Sequence, residues 1–330
     1  MTPYADPVEV ALVNNMPDPA FLATERQFRE LLAAAADGRP VRLRLTSLPE
    51  IGRGRALRGQ IDDRYESLDE LERRPPNALV VTGSEPRCRD LREEPTWPPL
   101  ASLLGWAEGA TCSVVLSCLA AHGALLATDG LGRRRLPKKL SGVFPQWVDP
   151  THPITRGVGP LSCPHSRLHD VPPAQLESAG YRVLAGSDAV GWTVAVRDGE
   201  CLRVLLQGHP EYEATTLLRE YRRDVRRYLV GEQDAYPDLP TGYLSPAAAA
   251  RLEAFRRLAE PRRAVHGATG GPTVTGRRIE VAQGGLVDGL PFDVAAADLT
   301  ATWRPPMVRL LANWLDELVA RKAASTRRAG

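Results

Sequence analysis

The sequence predicts an α/β protein built around a mainly parallel sheet, and three observations predict it. The 330 residues are 43% apolar and 25% charged, which is close to the average for a soluble globular protein. Strand patterns and helix patterns alternate through residues 1–130, as they do in βαβ units. Polar motifs directly follow two apolar strands, and the carboxyl ends of strands are where α/β sheets collect functional loops.

The first βαβ unit is predicted from three consecutive patterns. The apolar run at residues 8–13 predicts a strand. Residues 24–36 predict a helix, because Thr24 and Gln27 have capping-box spacing and an apolar stripe follows at helical spacing. Apolar residues alternate with arginines over 41–45, which predicts a half-buried strand.

Apolar runs predict most of the remaining elements. Further strands are expected at 78–81, 112–117, 181–184, 192–196 and 202–206. Further helices are expected at 97–107, 119–127 and 213–229. Charged or Gly- and Pro-rich composition predicts insertions at 48–76 and 247–300, and the basic tail at 320–330 is expected to fray.

Charge and cysteine content exclude several classes of protein. With 42 basic and 40 acidic side chains, the chain gives no electrostatic reason to expect nucleic acid as a partner. Its longest apolar stretch is shorter than the roughly 18–20 residues of a membrane span, and no export signal is visible, so we expect no membrane partner. Five scattered cysteines without a CxxC pair predict a reduced, cytoplasmic protein with no metal site.

Cys118 follows the predicted strand 112–117 and precedes the predicted helix 119–127. A thiol at such an elbow stands above the sheet edge, and the positive end of the helix dipole favours its thiolate form. The backbone N–H of Leu119 is then a candidate donor to an oxyanion. The alternative is a buried structural cysteine, which is a common use of this small apolar side chain.

His209 and Glu211 follow the predicted strand 202–206. Because they are two residues apart, extended backbone projects both side chains to the same side. A carboxylate there would hold the imidazole while its other nitrogen takes a proton from a nucleophile. The alternative is a hydrogen-bonded turn histidine beside a solvated glutamate.

The motifs together resemble the homoserine O-acyltransferases of methionine biosynthesis. The resemblance is carried by LVNNMP, TERQFRELL, LSCLAAHGAL, PHSR, GHPEYEATTLLREYRRDV and the C-terminal ATWRPPMVRLLANWL. It implies a class I glutamine-amidotransferase-like, flavodoxin-like fold, which is a three-layer sandwich with a C-terminal helical extension. The implied division is an acyltransferase domain at 1–240, a divergent insertion at 241–300, and a helix at 301–330 that packs back on the main domain.

The resemblance also implies a reaction. An acetyl or succinyl group would pass from acyl-CoA, a co-substrate, to Cys118 and then to the hydroxyl of homoserine. His209 would act as the base and Glu211 would orient it. No cofactor is implied beyond acyl-CoA and an amino-acid acceptor, and the family suggests a homodimer.

Four further residues match family positions that contact substrate. Arg223 would grip the acceptor's carboxylate, and Arg87 would meet the acyl group. Ser166 would line the cleft together with Arg167, for which a structural pair with a carboxylate is the alternative. Lys139 would attract the phosphates of CoA, and the alternative there is an exposed, solvated lysine. A helical wheel instead places Arg223 opposite the apolar stripe of 213–229, as a solvated arginine.

The chain also departs from the family pattern. Asp18 and Pro19 stand where relatives usually have a lysine. A small register shift would put Glu85 at the acyl position in place of Arg87. The donor is therefore left open between acetyl and succinyl, and the acceptor between homoserine and another hydroxy-amino acid such as serine. A glutaminase-type amidotransferase and a non-enzymatic binding protein are two competing hypotheses.

Overall fold

The structure is a computed structural model that describes residues 7–268 and 288–329, with side chains for 7–261 and 288–327. The side chain of His266 and most of the glycine-rich run of the predicted insertion lie outside these residues. Contacts divide the chain into two compact units. The first unit comprises Met1–Leu140, Pro145–Glu211 and Trp303–Gly330, and the second comprises Ser141–Phe144 and Tyr212–Thr302.

The second unit begins before residue 240, where the sequence placed the end of the main domain. Its core packs the apolar stripe of the helix at Thr216–Leu229 (α7) against the helix at Pro246–Ala268 (α8). Tyr221 and Val225 of α7 meet Leu252 and Phe255 of α8 in this cluster. The predicted stripe is therefore buried, but in a helical core of its own.

One sheet of nine strands organises the first unit among the described residues. The strands are Val8–Val13 (β1), Val41–Thr46 (β2), Ala78–Val81 (β3), Ser113–Ser117 (β4), Arg134–Val148 (β5), Leu161–Asp170 (β6), Arg182–Ser187 (β7), Gly191–Arg197 (β8) and Leu202–Leu206 (β9). Their order is β2-β1-β3-β4-β9-β8-β7-β5-β6. The half from β2 to β9 is parallel, and β8, β7 and β5 extend it through antiparallel pairs.

The remaining helices lie between these strands or follow them. They are Asp18–Ala36 (α1), Arg55–Ile61 (α2), Leu68–Arg73 (α3), Trp97–Ala110 (α4), Leu119–Asp129 (α5), Pro173–Ser178 (α6), Phe292–Ala296 (α9) and Arg304–Ala329 (α10). None of the helices in the described ranges is both long and apolar enough to cross a bilayer.

Two apolar clusters cover the two faces of the sheet and make the predicted three layers. On one face, Leu12 of β1 packs with Leu31 of α1 and Trp314 of α10. On the other face, Leu79 of β3 packs with Leu104 of α4 and Leu125 of α5. Since side chains alternate between faces along a strand, the parallel strands are apolar on both sides.

The C-terminal helix α10 is tied to the first unit by polar as well as apolar contacts. The indole N–H of Trp314 donates to Ser113 Oγ at 2.9 Å, and the amide of Asn313 donates to the carbonyl of Ile154 at 2.9 Å. Lys322 donates to the carbonyl of Pro7 at 3.0 Å. Helix α10 continues to Ala329 through most of the tail, and the fraying expected there stays a prediction.

Two local expectations require correction. Helix α1 begins at Asp18, so Thr24 and Gln27 are buried interior residues and no capping box forms there. The reason is that Pro19 fits the first turn of a helix and the buried Phe21 extends its apolar stripe. Residues 48–76 also hold regular structure, since α3 begins with a complete capping box between Ser67 and Glu70.

Strands β5 and β6 were missing from the prediction. Both contain proline, and β5 carries several basic residues, so neither shows the apolar alternation of a half-buried strand. They lie together at one edge of the sheet, where proline is tolerated.

Candidate active site

Cys118 occupies a sharp turn between β4 and α5. Its φ is +51°, and Asp37 is the only other non-glycine residue with positive φ in the described ranges. Such a conformation costs about 1–3 kcal/mol and persists only where surrounding structure holds it. The N–H of Cys118 donates to the carbonyl of Leu206 at 2.7 Å, which fixes the turn to the neighbouring strand. The residue as a whole is partly exposed.

The sheet brings His209 to the same edge as Cys118. β4 and β9 are parallel neighbours, and Ser117 lies opposite Leu206 in their register. Cys118 immediately follows Ser117, and His209 lies three residues after Leu206. The N–H of His209 donates to the carbonyl of Pro164 at 2.9 Å, which anchors the loop to β6.

His209 and Glu211 form a buried pair. Nδ1 of His209 lies 2.8 Å from Oε1 of Glu211. Burial opposes the charged imidazolium, but the charges of Glu211 and Cys118 and the hydrogen bond to Glu211 outweigh it, so the pKa of His209 lies well above its ordinary value. The arrangement favours a protonated imidazole between a carboxylate and the sulfur.

The backbone N–H of Leu119 lies where α5 begins, beside Gly83 in the loop after β3. A Cβ placed on Gly83 would lie 3.1 Å from the nitrogen of Leu119 and 3.1 Å from its Cβ. Glycine therefore permits a close backbone approach to the start of the helix. The N–H of Leu119 lies in the first turn of α5, at the positive end of the helix dipole. Its role as an oxyanion donor stays a prediction.

A chain of buried polar groups lies behind His209. Arg167 donates from Nη1 to Nδ1 of His165 at 2.6 Å, so the proton of His165 is on Nε2. Nε2 donates to Thr193 Oγ1 at 3.1 Å, and that hydroxyl donates to Gln146 Oε1 at 2.7 Å. Burial first, then the charges of Arg167 and His209, hold the pKa of His165 well below its ordinary value. His165 is therefore neutral.

Gly208 precedes His209 and is packed tightly against this chain of polar groups. A Cβ on Gly208 would overlap Cys163 Sγ and would lie 3.2 Å from Nε2 of His165. The absence of a side chain at this position lets the loop that carries His209 pass over β6. This packing restricts the position of the His209 imidazole.

His122 lies on α5, and the sequence favoured a structural histidine there. Burial, followed by the charges of Arg133, Arg167 and His169, lowers its pKa to about 3, so it is neutral. Gln207 donates from Nε2 to His122 Nε2 at 3.2 Å and to Asp170 Oδ1 at 3.1 Å.

Three of the four predicted substrate residues lie in the first unit. Ser166 is partly buried on β6, between the buried His165 and Arg167. Lys139 is partly buried on β5, and Arg87 is exposed in the loop after β3. Arg87 donates its backbone N–H to Glu94 Oε1 at 2.5 Å. The roles of these residues stay predictions.

Arg223 lies in the second unit, on the exposed side of α7 that the helical wheel indicated. Its Nε donates to Asp224 Oδ1 at 2.9 Å. Its role as the acceptor's partner also remains a prediction.

The segment that lacks the family lysine is held by a residue from elsewhere in the chain. Arg53 donates to the carbonyl of Asn14 at 3.2 Å and pairs with Asp18 at 3.3 Å. The guanidinium also stacks 4.0 Å above the ring of Phe21. No pattern in the sequence indicated this contact, because Arg53 lies in a charged stretch of ordinary composition.

Sequence reasoning missed one charged residue of the site and undervalued another. Arg133 and Arg167 both interact electrostatically with Cys118. Arg133 stands at the head of a run of three arginines, which is typical of a solvated surface segment. Arg167 was a candidate cleft residue with a structural pair as the alternative, and it lies 3.8 Å from the carboxylate of Asp170. Neither has a spacing pattern that would have marked it.

Comparison with known proteins adds independent findings. A family model described as homoserine O-succinyltransferase matches residues 3–325. The chain is 44% identical over 257 residues to the homoserine O-succinyltransferase of Rhodopseudomonas palustris, covering 78% of this chain and 77% of that protein. It is 35% identical over 313 residues to the homoserine O-succinyltransferase of Thioalkalivibrio nitratireducens, covering 94% and 83%.

A likeness to a solved structure concerns the fold alone. The crystal structure of a glutamine amidotransferase from Thermotoga maritima matches with a TM-score of 0.50 and 13% identity, over 96% of this chain and 99% of that one. It confirms the glutamine-amidotransferase-like fold expected from the sequence.

Proposed function

Because the chain belongs to the homoserine O-succinyltransferase family, we propose that it transfers the succinyl group of succinyl-CoA to the hydroxyl of homoserine through a thioester on Cys118. Membership of this family makes the chain an acyltransferase, and methionine biosynthesis is the family's pathway. The succinyl donor, the homoserine acceptor and the thioester on Cys118 are the parts proposed here.

One observation carries the proposal: Cys118 and the buried pair His209–Glu211 follow two neighbouring parallel strands, β4 and β9, at one edge of the sheet. Nδ1 of His209 lies 2.8 Å from Oε1 of Glu211, and the ring interacts electrostatically with Cys118. An imidazolium beside a thiol stabilises the thiolate, which is the nucleophilic form of cysteine. A structural cysteine in an apolar core would have no such partner.

The first half of the reaction acylates the enzyme. The thiolate of Cys118 attacks the thioester carbonyl carbon, and a carbon–sulfur bond forms while the carbonyl oxygen takes up negative charge. The N–H of Leu119 is placed to stabilise that oxygen. The bond to the sulfur of CoA then breaks, and CoA leaves with the proton of His209. One thioester replaces another, so the acyl group stays activated.

The second half passes the acyl group to the acceptor. Neutral His209 takes the proton of the acceptor's hydroxyl while that oxygen attacks the carbonyl carbon of the Cys118 thioester. The bond to Cys118 breaks, which regenerates the thiolate beside the imidazolium of His209. General-base catalysis of this kind is worth about 10²–10⁴ in rate. Glu211 stabilises the imidazolium in both halves.

A matrix of donors and acceptors tests the proposal. Purified protein is incubated with succinyl-CoA, acetyl-CoA or propionyl-CoA without acceptor, and its intact mass is measured. We expect one succinyl adduct, absent in Cys118→Ser, and release of CoA on addition of homoserine. Serine and related amino alcohols are then compared with homoserine as acceptors.

Two results would overturn the proposal. One is the absence of an adduct with any donor, together with no CoA release in the presence of homoserine. The other is ammonia release from glutamine that depends on Cys118, which would assign the site to a glutaminase. A preference for acetyl-CoA or for serine would keep the acyltransferase and change only its substrates.

A further inference from the structure

A small set of buried polar groups joins the ends of the first three parallel strands. Asn15 follows β1 and is 4% exposed, and Thr82 follows β3 and is 3% exposed. The backbone N–H of Thr82 donates to the carbonyl of Val13 at 3.0 Å, and the backbone N–H of Asn15 donates to Oγ1 of Thr82 at 2.8 Å. Oδ1 of Asn15 in turn accepts the N–H of Leu48, in the loop after β2, at 3.2 Å. Thr82 is therefore held from both its backbone and its side chain at the carboxyl edge of the sheet.

The hydroxyl of Thr82 binds the carbonyl of Gly83. Oγ1 donates to that carbonyl oxygen at 3.0 Å while it accepts the N–H of Asn15. Because a threonine hydroxyl has a single proton to donate, these two bonds determine its direction. The hydroxyl thereby connects the end of β1 to Gly83, which is the second residue after β3.

Gly83 packs against the start of α5. In the parallel register of β3 and β4, Val81 lies opposite Leu116, and Gly83 and Cys118 each follow two residues later. A Cβ on Gly83 would lie 3.1 Å from the backbone nitrogen of Leu119 and 3.1 Å from its Cβ, so the space between the two segments is filled. A shift of Gly83 toward α5 therefore has to move the N–H of Leu119 as well.

We propose that Thr82 is a positioning residue for the acylation of Cys118 and acts through Gly83 on the backbone N–H of Leu119. The inference rests on the proposed function, in which that N–H stabilises the negative oxygen formed when the thioester is attacked. Such stabilisation depends on a donor that is already in place, so a small displacement of the N–H weakens it. Because Thr82 is buried, its effect reaches the substrate through Gly83 and Leu119 and not by direct contact.

Two reactions of Cys118 separate this role from a general structural one. Acylation by a thioester passes through a tetrahedral species with a negative oxygen, which the N–H of Leu119 would stabilise. Alkylation by iodoacetamide displaces iodide at a saturated carbon and develops no such oxygen, so its rate follows the thiolate alone. The ratio of the acylation rate constant to the alkylation rate constant therefore isolates the oxyanion effect, and it cancels any loss of folded protein.

The test replaces Thr82 by valine, which keeps the branched shape and removes the hydroxyl. The N–H of Asn15 and the carbonyl of Gly83 then lose their partner, and the loop has to shift to pair them again. Both rate constants are measured at Cys118 by peptide mass, with succinyl-CoA, or acetyl-CoA if the parent prefers it, as the donor. In Thr82→Val we expect the ratio of acylation to alkylation to fall about 10-fold. The alkylation rate constant itself should stay within about twofold of the parent.

Two further variants serve as controls. Thr82→Ser keeps the hydroxyl and should keep the ratio within about twofold of the parent. Thr46→Val is the matched control, because Thr46 is also buried at the end of a strand and its hydroxyl donates to the carbonyl of Glu66 at 2.8 Å. Since β1 and β3 separate its strand from β4, its ratio should equal that of the parent. Thr82→Ala also lacks the hydroxyl and decides the matter if Thr82→Val does not fold.

A parent-like ratio in both Thr82→Val and Thr82→Ala overturns the inference. An equal fall of acylation and alkylation overturns it too, because the effect would then lie on the thiolate and not on the oxyanion. A parent protein that takes up no acyl group from any donor would overturn the proposed function and the inference with it. The two failures are distinguishable, since only the second leaves the parent itself without an adduct while Cys118 is still alkylated.

Discussion

Nδ1 of His209 donates to Oε1 of Glu211 across 2.8 Å in the loop after β9, and both side chains are buried. The carboxylate accepts this proton and fixes the plane of the ring. Burial alone would lower the pKa of the imidazole, and the surrounding negative charge raises it instead. The protonation state of the site is thus determined by this pair.

Replacing Glu211 by Gln should lower the fraction of His209 that is protonated, and with it the fraction of Cys118 that is thiolate. Without the charge of Glu211, burial lowers the pKa of His209, so less of the thiolate–imidazolium pair exists at neutral pH. We expect the rate of alkylation of Cys118 by iodoacetamide at pH 7 to fall about 10- to 100-fold. Glu177→Gln, at an exposed position on α6, is the control. Equal alkylation rates in parent and Glu211→Gln would contradict the role assigned to this pair.

The strained backbone at Cys118 predicts that glycine at this position gives a more stable protein than alanine. Glycine adopts a φ of +51° without penalty, whereas alanine does not. Cys118→Gly should therefore unfold with a free energy about 1 kcal/mol higher than Cys118→Ala. Chemical denaturation measures this difference, and both variants should fail to form the acyl adduct. Equal stabilities would mean that the turn stores no strain.

Gly83→Ala should disturb the start of α5 with little effect on the rest of the fold. The new Cβ would lie 3.1 Å from the nitrogen of Leu119, so that N–H must move. We expect the acylation rate constant to fall about 10- to 100-fold, as expected when an oxyanion donor is displaced. Gly105→Ala on α4 is the matched control, since its Cβ would meet open space. Parent-like rates in Gly83→Ala would exclude a role for Leu119.

Acid should destabilise the protein through its buried neutral histidines. Burial lowers the pKa of His122 to about 3 and that of His165 well below its ordinary value, so the folded state does not bind these protons while the unfolded state does. Stability is then lost as pH falls below about 6.5. His209 offsets part of this loss, because its raised pKa gives a stabilisation that is complete below about pH 6.5 and declines only at higher pH.

The expected size follows from the protons that each state binds. The unfolded state binds protons at His122 and His165 that the folded state does not, whereas His209 favours the folded state. His169, whose pKa is lowered to about 4, acts in the same direction as His122 but is partly exposed, so its contribution is smaller. The free energy of unfolding should be about 1–2 kcal/mol lower at pH 5.5 than at pH 7, measured by urea denaturation. In His122→Gln, which keeps an acceptor for Gln207, about 1 kcal/mol of this acid-dependent loss should disappear. A pH dependence equal to that of the parent would show that His122 is not the group concerned.

The elements predicted best are the strands of the parallel half of the sheet. Strands β1, β3 and β9 occupy the predicted residues, because strands buried on both faces are continuous apolar runs. The predicted start of α1 was wrong, at residue 24 instead of 18, because a buried phenylalanine and a tolerated proline extend the helix beyond the apparent cap. Strands β5 and β6 were not found, because their sequences are polar and their place depends on the neighbours they pair with.

The sequence by itself determined which residue types follow the apolar strands: a thiol before a helix, and an imidazole two residues from a carboxylate. It could do so because strand burial and local spacing are properties of adjacent residues. Only the tertiary structure decided that β4 and β9 are neighbours, that Glu211 favours a protonated His209, and that Arg53 holds the segment at Asn14 and Asp18. Electrostatic interactions and burial depend on distance in space, and contacts between remote segments leave no periodic trace in the chain.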